Sequence, residues 1–297
     1  MQTQKPILFT GAFHSQQEWI DTILSVFPSM RYLPHFFSPQ IETRDIFSFG
    51  SQYPFIEPEG ENIYASFMAE FINPKTGQVQ ENPKGAFSSG FKQFYHRFVD
   101  KYQINKETKK EVRPLIYDKY GIFLVEWLHK HYQTDVVILI QHPLSFVHNW
   151  IESKESIDFD KLFSPKISKY APIILERVAL EKEENTFESL QEWEKVMRVW
   201  LVFAETILYY QLNYPDWLFF RYEDFRESPE RTLRDICDML DLDYTKEFVA
   251  KYEETKEIRT QDAQRLNPDY LKALINETQE YLTHFYPRNV IGKSMFR

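Results

Sequence analysis

Pro6-Ile7-Leu8-Phe9-Thr10-Gly11-Ala12-Phe13-His14-Ser15-Gln16-Gln17-Glu18-Trp19-Ile20 reads as a buried strand, a short loop and the start of a helix. Pro6 to Thr10 is a short apolar run with a β-branched residue. Gly11 can adopt a backbone conformation that other residues resist. From Trp19 the apolar residues fall at Trp19, Ile20, Ile23, Leu24 and Phe27, which is helical spacing, and Pro28 ends the run. A strand that feeds a helix through a small loop is a phosphate-binding architecture, because the first turn offers unpaired N–H groups and a partial positive charge. Ser15-Gln16-Gln17-Glu18 is also a capping box, a Ser at the cap with a Glu three residues on. The Glu18 carboxylate can therefore act as the helix's own anion. Two unit charges 4 Å apart repel by about 4 kcal/mol at a near-surface dielectric, so an incoming phosphate would be opposed. Both an ordinary helix cap and an anion site fit these residues.

Outward from this stretch, strands and helices alternate. Arg31 to Phe37 is a second short strand. Glu61 to Ile72 and Phe91 to Tyr102 have helical periodicity, and Asn73 to Gly90 between them is turn-rich, a candidate lid. Pro114 to Tyr117 is a strand, Gly121 to Tyr132 a helix, and Val136 to Ile140 a continuous β-branched strand of the kind buried on both faces. Leu144 to Ile151 begins another helix. Asp158 to Glu184 reads as irregular, with Glu181-Lys182-Glu183-Glu184 as a solvated charged face. A long amphipathic helix covers Phe187 to Leu212, and Trp217 to Phe220 is a strand. Ser228-Pro229-Glu230 caps a helix running to about Leu240, and a last helix spans Pro268 to Phe285. This alternation predicts a three-layer α/β sandwich with a mostly parallel central sheet, as a single domain over residues 1–297 with no dividing linker.

Composition narrows the partners. The 297 residues carry a net charge of −9, which argues against nucleic acid or an anionic membrane surface as partner. No apolar run approaches the roughly 20 residues of a membrane helix. No charged flank precedes an apolar segment at the start, so the expected setting is soluble and cytoplasmic. The 26 Phe and 18 Tyr favour a thick aromatic core. The one cysteine, Cys237, excludes an internal disulfide and sits in an apolar helical stretch. Gly292-Lys293-Ser294 does not make a Walker loop, since Pro287 stands where the first glycine belongs.

Several motifs, in order, resemble sulfotransferases that use 3′-phosphoadenosine-5′-phosphosulfate (PAPS), in particular a bacterial subfamily. Thr10, Gly11, Ser15 and Trp19 are in register with that family's donor loop. Arg113-Pro114-Leu115-Ile116, Asp118, Glu126-Trp127-Leu128, the apolar strand Val136–Ile140 and His142-Pro143 follow the subfamily's pattern, and Arg221-Tyr222-Glu223-Asp224-Phe225 with Ser228-Pro229-Glu230 follows a later one. Arg259-Thr260 aligns loosely with a further basic contact. The resemblance implies a P-loop nucleotide-kinase-like sulfotransferase fold. It also implies sulfuryl transfer from PAPS to a hydroxyl of a small molecule or glycan, and binding of the product adenosine 3′,5′-bisphosphate.

The departures from the family concentrate on the donor. His14 stands at the loop's basic position, Gln16 at its glycine, and Gln17 and Glu18 at two hydroxyl positions. Gln141 replaces the arginine that the family places on the 3′-phosphate, which removes a full charge and a bidentate fork; Asn149 replaces the serine eight residues on. Tyr117-Asp118-Lys119 replaces Lys-Asp-Pro, and His35-Phe36 replaces Glu-Pro. The resemblance thus gives a cofactor-binding set of Gly11, Ser15, Gln16, Gln17, Glu18, Trp19, Gln141 and Asn149, with His14 as substitute cation and His35 as candidate base. No metal ligand is assigned, although His14, His35 and His142 all follow predicted strands and sites lie at such ends in parallel sheets. Two other readings remain open: a non-catalytic binding or regulatory relative, and an enzyme that uses pocket histidines without PAPS.

Overall fold

A computed structural model describes residues 5–12, 30–34, 113–154, 157–244 and 268–287, together with isolated positions at 20, 24, 25, 37, 61, 65, 68, 69, 72 and 250. Among the described residues five strands form the sheet: β1 (Ile7–Ala12), β2 (Met30–Pro34), β3 (Arg113–Tyr117), β4 (Asp135–Ile140) and β5 (Leu218–Arg221). They are all parallel, in the order β2-β3-β1-β4-β5, and helices flank them. This is the α/β arrangement expected from the alternation. The chain divides into two compact units, Met1–Thr10 with Phe27–Val136, and Gly11–Val26 with Val137–Arg297.

In the first unit β3 pairs with both neighbours, Ile7 opposite Leu115 and Tyr32 opposite Leu115 on the other side. In a parallel sheet with helices over both faces an interior strand is apolar on both sides, and Leu115, Ile116 and Tyr117 are buried. Asp118 ends the strand. Its carboxylate accepts the N–H of Tyr120 at 2.8 Å and the N–H of Phe37, while its own N–H donates to Phe9 O at 3.0 Å. That cap starts a 3-10 turn over Lys119–Leu124, which passes into helix α1, Val125–Tyr132. The helix expected from Gly121 therefore begins with tighter turns, because Asp118 caps at a spacing of two. Gly121 is a close fit there: a Cβ would come within 3.2 Å of the Phe37 ring, which would have to give by a few tenths of an ångström.

In the second unit, helix α2 (Pro143–Ser153) follows β4, a short helix α3 (Phe159–Leu162) precedes α4 (Pro172–Glu183), and the 22-residue α5 (Glu192–Asn213) lies in the core. After β5 come α6 (Tyr222–Glu227), α7 (Pro229–Leu240) and α8 (Pro268–Phe285). Helices α7 and α8 match the sequence reading, and Cys237 is buried on α7 as expected.

Residues 158–184, read as irregular, are mostly helical, and this corrects the expectation. Pro172 opens α4 at its first turn, Ile174, Leu175 and Val178 are buried, and a carboxylate from α5 caps it, a long-range contact invisible to local pattern. Nor is Glu181 on a solvated face. It bonds Arg198, at 2.8 Å from Nη2, whose side chain is only 5% exposed. The long helix begins at Glu192 rather than Phe187; Gln191 and Glu194 form a capping box that restarts the chain after a separate 3-10 turn over Phe187–Ser189. No described helix is long and apolar enough to cross a membrane.

Candidate functional site

The connection out of β3 crosses β1 to reach β4, so the carboxyl ends of β1 and β4 flank a switch point in strand order, where ligands bind in open parallel sheets. Gly11 sits there with φ +147°, and a Cβ on it would lie 1.9 Å from the carbonyl oxygen of Leu139. Only a residue without a side chain lets β1 pass this close to β4. One residue later the Gln141 N–H donates to Ala12 O at 2.8 Å. The structure therefore brings Gly11 and Gln141, two of the expected binding residues, to one edge.

Gln141 is 1% exposed, and its backbone carbonyl accepts the indole N–H of the fully buried Trp200 at 2.8 Å. A side chain held in such a place must be satisfied without bringing net charge, which suits an amide better than a guanidinium. Asn149 is half-buried two turns along α2. His14, Ser15, Gln16, Gln17, Glu18, Trp19 and His35 lie outside the described residues, as do the candidate lid, the expected helix from Phe91 and the Arg259-Thr260 pair.

A polar cluster that motif spacing did not assign occupies the ends of β4 and β5. His142 caps α2 and its ring Nδ1 accepts the N–H of Leu144 at 3.3 Å. The His142 backbone N–H donates to Glu223 Oε1 at 2.9 Å, and the Tyr286 hydroxyl donates to Glu223 Oε2 at 2.8 Å. The His142 and Tyr286 rings meet edge to face with centroids 5.0 Å apart. Arg221 grips Asp224, with Nε 2.8 Å from Oδ2 and a second bond through Nη2, and its guanidinium carbon lies 5.7 Å from the centre of the Tyr286 ring. Burial pushes the His142 imidazole down to about 4, so the ring is neutral near pH 7. Burial, reinforced by Glu223, holds the Tyr286 phenol well above its usual value, so it stays a donor.

Glu223 belongs to a motif read in the sequence without a role. Tyr286 was missed, and its only local signal is its place at the end of the α8 run. At the corresponding end of β1 in the first unit, the Thr10 hydroxyl is fully buried and has no hydrogen-bond partner among the described residues.

No protein-family model matches the chain, and no curated protein sequence matches it. Among solved structures it is similar to a sulfotransferase from Alicyclobacillus acidocaldarius, at 14% identity over 94% of each chain with a TM-score of 0.49. It is similar to the sulfotransferase domain of the Synechococcus PCC 7002 olefin synthase at 15% identity, over 94% of this chain and 91% of that one, with a TM-score of 0.44. Mouse sulfotransferase SULT7A1 complexed with PAP matches at 10% identity, over 96% of this chain and 85% of that one, with a TM-score of 0.45. Each of these neighbours is a sulfotransferase.

Proposed function

We propose that this protein is a sulfotransferase-like group-transfer protein with a weakened donor site. The reaction is transfer of a sulfuryl group from PAPS to a hydroxyl of a small molecule or glycan. The observation that carries the reading is Gly11: the Thr10-Gly11 pair of the donor-loop pattern sits where β1 must press against the Leu139 backbone, at the carboxyl edge of a parallel sheet. The same edge explains the weakness. Gln141 is buried and uncharged at the position where the family carries its phosphate-binding arginine, so the donor's 3′-phosphate loses a bidentate, charge-assisted pair.

The test is a thermal melt with adenosine 3′,5′-bisphosphate. If the dissociation constant is near 0.1 mM, 1 mM ligand adds about 1.4 kcal/mol and raises Tm by about 2–4 °C. A melting curve unmoved at 1 mM overturns PAPS as donor. It then favours the second reading, a non-catalytic relative, to which the uncharged Gln141 also points.

A further inference from the structure

Two of the bonds at this edge belong to one peptide group. The carbonyl oxygen of Gln141 accepts the Trp200 indole N–H at 2.8 Å. The N–H at the other end of the same plane, that of His142, donates to Glu223 Oε1 at 2.9 Å. A trans peptide points its C=O and N–H in opposite directions, so a plane held at both ends cannot turn without straining both bonds. The residue is held one step earlier as well, by the bond from Gln141 N–H to Ala12 O at 2.8 Å. Through this peptide the chain leaves β4 for α2, and His142 takes the non-helical φ −55° and ψ 134° of an N-cap.

Neither clamp is local. Trp200, on α5, is 59 residues from Gln141, and Glu223, on α6, is 81 residues from His142. Strand β5 ends at Arg221, which pairs with Ile140, so the ladder does not extend to Gln141 on that side and a side chain supplies the bond. The indole suits the task because it offers one N–H and no acceptor. Trp200 and Gln141 are both buried, so loss of that N–H removes a bond that bulk water does not reach. Glu223 is anchored in turn by the Tyr286 hydroxyl at 2.8 Å and is coupled electrostatically to the Arg221 guanidinium.

We infer that Trp200 and Glu223 are positioning residues for the donor edge: by locking the 141–142 peptide they fix the turn from β4 into α2, and with it the place of Gln141 and α2 beside a bound nucleotide. The inference rests on the sulfuryl-transfer reading above. Trp200 is sealed in the core and acts through the peptide alone. Because both bonds share one plane, loosening the carbonyl end also loosens the N–H end, 81 residues away from its own acceptor in sequence.

The test places 3-benzothienylalanine at position 200 of the full chain, an isostere with sulfur where the indole has N–H, so the packing stays and the donor goes. The His142 amide is expected to exchange with deuterium about ten times faster, although Glu223 is untouched, while the Ile138 and Leu139 amides inside β4 keep their rates. The dissociation constant of adenosine 3′,5′-bisphosphate is expected to rise about tenfold. A merely structural role for Trp200 would speed the β4 amides equally. An unmoved His142 amide, or one accelerated no more than β4, overturns the inference. Unchanged nucleotide affinity in a variant with a loosened His142 amide also overturns it and spares the proposed function. Should the isostere fail to fold, Glu223→Ala reads the clamp from its other end: the Trp200 indole N–H exchanges about ten times faster, and an unchanged rate overturns the inference. If the nucleotide leaves the melting curve of the unaltered protein in place, the proposed function falls, and the clamp is decided by the exchange rates alone.

Discussion

The carboxylate of Glu205, on α5, lies 3.0 Å from the backbone nitrogen of Ile174 and 3.1 Å from that of Ile173, and caps α4 from 31 residues away. Ala171, at the N-cap position, has no side chain to do this, and Pro172 follows it. The Tyr281 hydroxyl of α8 donates to the same carboxylate at 2.9 Å. One buried acceptor thus ties together three helices, and two orphan donors of a helix start are satisfied by a residue with no sequence relation to it.

Glu205→Ala therefore leaves those N–H groups without an acceptor, and a loss of about 2–4 kcal/mol is expected in urea unfolding. Glu205→Gln, which keeps one carbonyl acceptor, loses less. Burial raises the Glu205 pKa above its usual value. The folded state then binds more protons than the unfolded state between the two values, so the stability Glu205 contributes is full below about pH 4.5 and is lost as pH rises through the folded value. The gap between wild type and Glu205→Gln is expected to be wider at pH 4 than at pH 7; unfolding curves at both pH values measure it.

Gly11→Ala places a methyl group 1.9 Å from Leu139 O at a backbone angle of +147°, and the obstacle is strand backbone that cannot swing away. A destabilisation of about 3–5 kcal/mol is expected, at the upper end for a single substitution. Calorimetry reads this as a depressed Tm. A variant melting within a degree of wild type would show that β1 and β4 do not approach this closely.

The Arg198–Glu181 pair is mostly buried, with side chains 5% and 17% exposed. Removing one partner strands the other, so Arg198→Met is expected to cost about 3–5 kcal/mol, while the double change Arg198→Met with Glu181→Leu costs less than the single one. Arg177, which also bonds Glu181 at 3.1 Å, is then left with Glu277 at 2.7 Å and keeps a partner. A double-mutant cycle in urea gives the coupling directly.

His142 titrates at about 4 in the folded protein against 6.5 unfolded. Below pH 6.5 the unfolded chain takes up the proton first, so stability is full above pH 6.5 and falls as pH drops toward 4, by up to about 3 kcal/mol. His142→Asn lacks this group. The stability difference between wild type and variant is therefore expected to shift in the variant's favour between pH 7.5 and pH 4.5, which paired denaturation curves test.

Local pattern was enough for the strands and most helices. Val136–Ile140 is apolar at every position because a strand buried on both faces must be, and the Ser228-Pro229 start with its apolar spacing marks α7 without reference to the rest of the chain. Helix α4 shows where pattern fails. Its first turn lacks a local cap and its last turn looks like a charged surface, yet Glu205 supplies the cap and Arg198 buries Glu181.

At the site the division is similar. Sequence alone determined that a glycine follows the first apolar run and that an uncharged residue, Gln141, precedes His142-Pro143, because residue identity settles both. Only the tertiary structure decided which groups gather around His142 at this edge. Glu223, 81 residues beyond His142, and Tyr286, another 63 on, meet it through hydrogen bonds and a ring contact. Such contacts depend on where strand ends and helix termini converge in space, and no periodicity along the chain encodes that convergence.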